Sequence, residues 1–213
     1  MENLQFFLGG AVITFLVSVA AWVIGLPLGL LIALTRTNRM PVIAPLFALY
    51  VSFVRSLPLP LLVMFFYFGL PVAGINLNPF VAGIIALALN SSTFNSEIWR
   101  AANLNFPSEQ LDASMSIGMT AKQAFWRITF PQIWRESIPT LTNEMTFLVK
   151  ASPAIGIIGI DDLTRRAGKL AASNYEPLPT IMTGMVMYML VLLAISLTSR
   201  MVDQYFQRKY ELV

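Results

Sequence analysis

The chain contains no cysteine and no histidine, and only 12% of its 213 residues are charged. Without cysteine there can be no structural disulfides and no thiolate metal ligands. Without histidine, imidazole-based metal, haem and proton-relay chemistry is excluded within this chain. The scarcity of charge is equally restrictive, because soluble domains carry about a quarter charged residues. These absences remove most metalloenzyme and redox functions and argue against a soluble protein.

Apolar residues, in contrast, make up 56% of the chain. Five apolar stretches fit membrane crossings, since a span needs about 20 residues for a hydrocarbon core of about 30 Å. We predict an all-α, polytopic membrane protein that forms one domain over residues 1–213. The predicted spans cover residues 8–34, 58–72, 79–99, 137–160 and 178–199. In the second stretch, a short interfacial piece precedes Arg55 and the crossing follows it.

The distribution of lysine and arginine predicts the orientation of these spans, because cytoplasmic loops carry the excess of positive charge. Alternate connections are unequal in this respect. The richer side holds Arg36, Arg39, Arg100, Lys122, Arg127, Arg135, Arg200, Arg208 and Lys209, and the poorer side holds Arg165, Arg166 and Lys169. We therefore expect the N-terminus outside and the C-terminus in the cytoplasm, with the polar connection 100–136 also cytoplasmic.

This connection contains a polar segment, residues 108–131, whose pattern predicts two short helices separated by a glycine. Ser108 is a suitable N-cap for the first helix, and Gly118 can end it because glycine adopts the left-handed conformation easily. Residues 120–123 fit a capping box that starts the second helix, and Pro131 follows its expected end.

Helices of two or three turns are marginal in water unless a surface covers their apolar side chains. The apolar side chains of this segment are Met115, Ile117, Met119, Phe125 and Trp126. They either pack onto the membrane helices of this chain or bind another protein, and the residue pattern favours both equally.

Residues 97–132 resemble the cytoplasmic EAA loop of ABC-importer permeases, in which Glu-Ala-Ala is followed by a glycine and then by Leu-Pro. The matching residues are Asp112, Ala113, Ser114, Gly118, Phe130 and Pro131. Residues 55–71 and 139–166 resemble two further motifs of the polar-amino-acid permease family. The chain thus resembles type I importer permeases of the histidine and glutamine type over nearly its whole length.

The resemblance implies the permease subunit of an ATP-driven importer in the inner (cytoplasmic) membrane of a bacterium. Such a subunit performs no catalysis and holds no cofactor or metal, since ATP and magnesium are bound by two cytoplasmic ATPase subunits. A second permease subunit, identical or paralogous, and a periplasmic or surface-tethered solute-binding protein complete the assembly, without nucleic acid. The implied solute is a polar or charged amino acid, or a derivative such as an opine.

In this family the EAA loop couples the permease to the ATPase by placing its short helix in a groove of that partner. The resemblance implies that Leu111, Ala113 and Met115 fill the groove and that Asp112 meets a basic or donor group. Gly118 would permit the sharp turn and the close approach. Asp112 is one methylene shorter than the usual glutamate, so its reach towards the ATPase is reduced.

Polar residues inside the predicted spans are the candidates for contact with the solute. Asn90, Phe94 and Glu97 fall on one helical face, and Glu144 and Lys150 are ionisable residues of the fourth span. An intramembrane charge costs roughly 2.5–3.5 kcal/mol on insertion scales unless it is paired or hydrated. Each ionisable residue therefore either lines an aqueous path or makes a structural hydrogen bond. Glu144 and Lys150 are too far apart in sequence to pair on one helix.

Two other functions are compatible with an apolar helical chain, namely a passive channel subunit and a non-transport membrane scaffold. Neither needs a cytoplasmic segment that fits a motor protein. A membrane enzyme is disfavoured because the chain lacks the histidine and cysteine that supply most nucleophiles and cofactor ligands.

Overall fold

The computed structural model describes residues 2–38, 40–174 and 177–210, and the regular elements among them are all helical. The described α-helices are α1 (Glu2–Thr37), α2 (Ile43–Ser56), α3 (Leu59–Met64), α4 (Pro79–Asn105), α5 (Ser108–Ser116), α6 (Ala121–Ala124), α7 (Phe130–Ala151), α8 (Leu163–Asn174) and α9 (Pro177–Tyr210). Wider π turns occupy Phe65–Gly69 and Phe125–Thr129, and tighter 3-10 turns occupy Leu70–Ala73 and Ser152–Ile158. The predicted all-α fold is confirmed. Arg39, which contributed to the predicted orientation, lies outside the described residues.

Within the described ranges, two helices are by themselves long and apolar enough to cross a membrane, over Leu4–Thr37 and Pro177–Met201. A third candidate is the bent pair formed by α2 and residues 59–73, whose axes differ by 107°. Prolines cause this bend. Leu57 is extended with a ψ of 135°, as a residue before proline tends to be, and Pro58 cannot donate a helical hydrogen bond.

The predicted span boundaries coincide only in part with helices. The first, third and fifth predicted spans lie inside α1, α4 and α9, which all continue beyond them. The fourth, over 137–160, is not one helix, because α7 ends at Ala151 and Pro153 lies in the following 3-10 turn. The connection 100–136 is largely helical, since α4 reaches Asn105 and α7 begins at Phe130. The number of crossings stays a prediction.

Helices α1 and α4 pack against each other more extensively than any other pair in the described structure. Their closest approach involves two glycines of α1. A methyl group on Gly25 would come 2.9 Å from Cβ of Ser91, and one on Gly29 would come 2.6 Å from Cβ of Asn95. Small residues four apart let membrane helices approach this closely. The contact fixes the position of α4, which carries three of the predicted path residues.

Two tryptophans connect these helices to each other and to α7. The indole N–H of Trp22 donates to the carbonyl oxygen of Leu141 in α7 at 3.2 Å, and that of Trp99 donates to Leu26 in α1 at 3.3 Å. Trp99 is fully buried and stacks on Trp134 of α7, with ring centroids 5.5 Å apart. Helices α1, α4 and α7 therefore form the centre of the molecule.

Helix α8 is fixed to α1 at the end that is predicted to face outside. Asp162 is fully buried and accepts hydrogen bonds from the backbone amides of Thr164 and Arg165, which caps α8. Burial raises the pKa of this carboxyl. The amide of Leu163 donates to Oγ1 of Thr14 in α1 at 3.2 Å. The start of α8 is thus held by the side chain of Asp162, which precedes it, and by that of Thr14 in α1.

We expect Gly29→Ala to destabilise the protein, although alanine favours helices, because the new methyl group collides with Asn95. Gly168→Ala in α8 is the matched control, since nothing lies within 4 Å of a methyl group there. The first change should lower the free energy of unfolding by about 1–3 kcal/mol, and the second should leave it unchanged or raise it by up to about 1 kcal/mol. Thermal unfolding in detergent measures both, and equal shifts would contradict the close contact.

Candidate functional site

A cleft of about 510 Å³ opens between the end of α2, α4 and α7. It is lined by four of the predicted path residues, Asn90, Phe94, Glu97 and Glu144. The other lining residues are Arg55, Ile98, Thr140, Asn143, Phe147, Leu148 and Ala151. Apolar walls with a few amide and charged groups are the usual composition of a small-molecule site.

Glu144 is the most deeply placed carboxyl group of the cleft, with only 8% of its surface exposed. Its Oε2 accepts a hydrogen bond from Oγ of Ser91 in α4 at 3.0 Å. The same hydroxyl oxygen accepts from Nδ2 of Asn95 at 3.1 Å. Glu144 therefore has its hydrogen-bond partner on α4, in agreement with the prediction that it is too far from Lys150 in sequence to pair with it on one helix.

Glu97 is held between two arginines at the other end of the cleft. Arg36, in the last turn of α1, donates to Oε1, and Arg100 donates to Oε2 from Nε at 2.9 Å and from Nη2 at 2.7 Å. Charge-assisted bonds from two guanidinium groups neutralise the carboxylate and fix its position. Glu97 thus makes structural hydrogen bonds, which was one of its two predicted roles, and it also borders the cleft. Its contact with a solute stays a prediction.

Arg55 is the charged residue of the cleft that sequence reasoning missed. Its guanidinium carbon lies 4.8 Å from the ring centroid of Phe94, a cation–π distance. No carboxylate of the described residues lies within ion-pair distance of it. The signal was present in the sequence, because an arginine inside an apolar stretch needs a partner or an aqueous space. Thr140 and Asn143, which also line the cleft, were missed because single polar residues are common in spans.

Lys150 does not lie in the cleft, although it was grouped with the path candidates. It is exposed on α7 and lines a separate groove of about 480 Å³ against α9. The reason is helical geometry, because a residue six positions beyond Glu144 points in a direction about 120° away from it around the helix axis. Glu144 and Lys150 therefore line different surfaces.

The polar segment 108–131 contains the two predicted short helices, α5 and α6, with Gly118 between them. Gly118 has a φ of 86°, in the left-handed region. Its amide donates to the carbonyl of Met115 at 3.0 Å, and the amide of Met119 donates to the carbonyl of Ser114 at 3.1 Å. This pair of bonds is a Schellman motif, for which glycine is the preferred residue. The predicted role of Gly118 as a helix stop is confirmed.

The capping box predicted over 120–123 is also confirmed, but two neighbouring predictions are wrong. Ser108 is not an N-cap, because Pro107 holds that position and no side chain caps α5. Pro131 does not follow the end of the second helix, because α6 continues through the π turn Phe125–Thr129 into α7. A π turn interrupts the regular α-helical bonding, so the missing proline amide is tolerated just after it.

The apolar side chains of this segment divide between the two alternatives considered for them. Phe125 packs inward, in the cluster around Trp99. Met115, Ile117 and Trp126 face outward, with 48%, 79% and 53% of their surfaces exposed. Exposed apolar side chains grouped in this way indicate a surface that binds another protein.

Four of the five residues that the resemblance implies in coupling have exposed side chains or backbone. Asp112, Ala113, Met115 and Gly118 are exposed. Leu111 is half-buried and lines a cleft of about 570 Å³ between this segment and the ends of α1 and α4. Leu111 therefore supports the segment from inside, and the exposed residues are available to a partner.

Residues 25–212 match the family model described as the inner membrane component of binding-protein-dependent transport systems. The chain is 33% identical over 195 residues to the arginine transport system permease protein ArtQ of Bacillus subtilis, covering 91% of this chain and 89% of that protein. It is 31% identical to the probable glutamine ABC transporter permease protein GlnM of the same organism, covering 98% and 97% of the two chains.

Solved structures agree with these sequence matches. The chain superposes on a crystal structure of an amino acid ABC transporter with histidines with a TM-score of 0.88 and 29% identity, over 96% of this chain and 95% of that one. It also matches the MetNI methionine ABC transporter in an inward-facing conformation with a TM-score of 0.72 and 20% identity, over 95% and 94% of the two chains. The second match shows a shared fold.

We expect Ser91→Ala to destabilise the protein by roughly 1–3 kcal/mol, because it leaves the buried Glu144 carboxyl without the hydrogen bond described for it. Ser96→Ala is the matched control, since its equally buried hydroxyl donates only to the Thr93 carbonyl of its own helix. The control substitution should lower the free energy of unfolding by less than about 1 kcal/mol. Thermal unfolding of both variants in detergent tests this, and a loss as large for the control would show that the Ser91–Glu144 bond contributes nothing.

Proposed function

Because this chain belongs to the family of inner membrane components of binding-protein-dependent transport systems, we propose that it is the permease subunit of an ATP-driven importer of amino acids. The solute is a polar or charged amino acid, or a derivative such as an opine. The observation that carries this conclusion is the match of nearly the whole chain to amino-acid ABC permeases in both sequence and structure. Translocation, rather than catalysis, is the work of this subunit.

The solute binds in the cleft between α2, α4 and α7. A free amino acid carries a negative carboxylate and a positive ammonium group. The cleft contains one cationic and one anionic side chain that make no ion pair in the described structure. Arg55, over the ring of Phe94, is suited to the carboxylate, and Glu144 is suited to the cationic group. Asn90 and Asn143 add amide donors and acceptors. Glu97, with its two arginines, closes the cytoplasmic end.

The exposed surface of α5 and its Schellman turn meets the ATPase. Asp112, Ala113 and Met115 enter a groove of that partner, and Gly118 allows the close approach. Two cytoplasmic ATPase subunits bind the ATP and magnesium, so this chain needs no cofactor of its own. The support for this arrangement is the exposure of apolar side chains that a soluble surface would not display.

The positions of the solute-binding protein, the second permease subunit and lipid follow from the proposed orientation of the chain. The N-terminus faces outside and the C-terminus lies in the cytoplasm, in a multi-pass arrangement set by the basic residues. The solute-binding protein docks on the outer end, where Arg165, Arg166 and Lys169 are grouped on α8. A second permease subunit completes the translocation path, and lipid surrounds both.

Uptake of radiolabelled amino acids by proteoliposomes that contain the complete importer tests the solute site. Arginine, glutamine and cystine form the initial panel. We expect Arg55→Gln and Glu144→Gln each to reduce uptake of the preferred solute about tenfold or more, because each removes one charge-assisted hydrogen bond. Arg200→Gln, the same change at an exposed position on α9, is the control and should leave uptake unchanged. Normal uptake by both cleft variants would reject this site.

Copurification of the ATPase tests the coupling surface. A Cβ atom added at Gly118 meets nothing within 4 Å beyond its chain neighbours, so a substitution there acts chiefly through the left-handed backbone. We expect Gly118→Val to reduce the recovered ATPase several-fold, because a β-branched residue in this conformation is strained by about 1–2 kcal/mol. Gly118→Asn should retain the ATPase, because asparagine tolerates the conformation. Identical recovery with both variants would show that the turn is not part of the contact.

A further inference from the structure

The cleft between α2, α4 and α7 is surrounded by unequal numbers of positive and negative groups. Three ionisable side chains line it in the described structure, namely Arg55, Glu97 and Glu144. Two further arginines, Arg36 and Arg100, are bound to Glu97. Which of these five groups is free to bind a ligand determines which charges that ligand can carry.

Glu97 is not free to bind a cationic ligand. Its Oε1 accepts a hydrogen bond from Arg36, and its Oε2 accepts from Nε and Nη2 of Arg100 at 2.9 and 2.7 Å. Arginine is always protonated in proteins, so two positive charges and one negative charge leave this cluster with a net charge of +1. An ammonium or guanidinium group at Glu97 would have to displace one of the two arginines.

Glu144 is therefore the one carboxyl group that a cation can reach in the described cleft without breaking an ion pair. Its Oε2 accepts from the hydroxyl of Ser91, and no described lysine or arginine lies within ion-pair distance of it. Arg55 is the corresponding free cation, since it is exposed over the ring of Phe94 without a described carboxylate partner. The cleft thus offers one free group of each sign, beside the net positive cluster around Glu97.

The charges of an amino acid can be counted against these groups. An amino acid with an uncharged side chain has one carboxylate for Arg55 and one ammonium group for Glu144. An acidic amino acid has a second carboxylate, which the positive cluster around Glu97 attracts. A cationic amino acid has a second positive group, for which the described cleft has no second free carboxylate.

The second positive group of such a solute is instead repelled by the cluster around Glu97. This repulsion does not require a dry site, because charges act on each other through water over about 8 Å at physiological ionic strength. The uncharged polar side chains of the cleft agree with the count of charges. Asn90, Thr140 and Asn143 both donate and accept hydrogen bonds, so they can bind a carboxamide or carboxylate side chain.

We infer that the cleft selects amino acids whose side chain is uncharged or acidic and rejects those whose side chain is cationic, such as arginine and lysine. This inference rests on the proposed function, and it narrows the proposed solute from any polar or charged amino acid to these two classes.

Equilibrium binding of radiolabelled glutamine, glutamate and arginine to the purified complex of permeases and ATPases tests this inference. The solute-binding protein is left out so that its own selectivity does not enter the measurement. We expect glutamine and glutamate to bind at least tenfold more tightly than arginine, because only arginine brings an unmatched positive charge. Arginine binding as tight as that of glutamine would overturn the inference.

An isosteric substitution then tests whether the number of free carboxylates sets this selectivity. Asn143→Asp places a second carboxylate in the cleft at an exposed position of α7, so the affinity for arginine relative to glutamate should rise at least tenfold. Asn76→Asp is the matched control, since it makes the same change at an exposed position of the connection before α4. The control should keep this ratio within twofold of that of the unchanged protein. An equal ratio in the two variants would overturn the inference.

Uptake by the complete importer separates this inference from the proposed function. Tight binding of arginine to the complex, together with its uptake, would overturn the inference and leave the proposed importer function intact. Binding of none of the three amino acids would reject the inference together with the cleft as their site. The proposed function itself would fail if the complete importer also transported no amino acid.

Discussion

The close approach of α1 and α4 is the constraint on which the rest of this structure depends. Gly25 and Gly29 let α1 approach the Cβ atoms of Ser91 and Asn95 and the backbone of α4 so closely that there is no room for even one methyl group. At this distance, Arg36 at the end of α1 reaches Glu97. Ser91, on the same face as the contact, is presented to Glu144 of α7. The packing of small residues therefore determines where the polar groups of the cleft lie.

The polar residues of α4 would be unfavourable in a membrane if they were unpaired. Most of them are satisfied locally, because Ser92, Thr93 and Ser96 donate to carbonyl oxygens of their own helix. Tyr50 of α2 adds a hydrogen bond to Ser92 at 3.0 Å. Because these internal hydrogen bonds replace hydrogen bonds to water, the polar part of α4 can remain buried. Arg55, which borders the cleft, keeps no ion-pair partner within the described chain, and for it we propose the carboxylate of the solute.

Local signals in the sequence predicted local structure well. The helix stop at Gly118 and the capping box after it follow from the conformational preferences of single residues, and both are found. The sequence also predicted four residues of the cleft, because helical spacing or an intramembrane charge indicated each of them. They are Asn90, Phe94, Glu97 and Glu144. Arg55 joins that cleft only because prolines turn α2 away by 107°, and no periodicity predicts the direction of such a turn. The divergence of Lys150 from Glu144 follows from helical spacing, but the surface that each side chain lines depends on which neighbours α7 packs against.

The uninterrupted course from α6 through the π turn into α7 has a mechanical consequence. This helical course begins beside the surface proposed for the ATPase and ends at Ala151, beyond both Glu144 and Lys150. The α7 portion alone is about 33 Å long at the usual helical rise. A tilt imposed at its lower end swings the upper end as a lever does. The wall of the cleft proposed for the solute would shift with it, and the π turn Phe125–Thr129 and Pro139 are the two places where this course can bend.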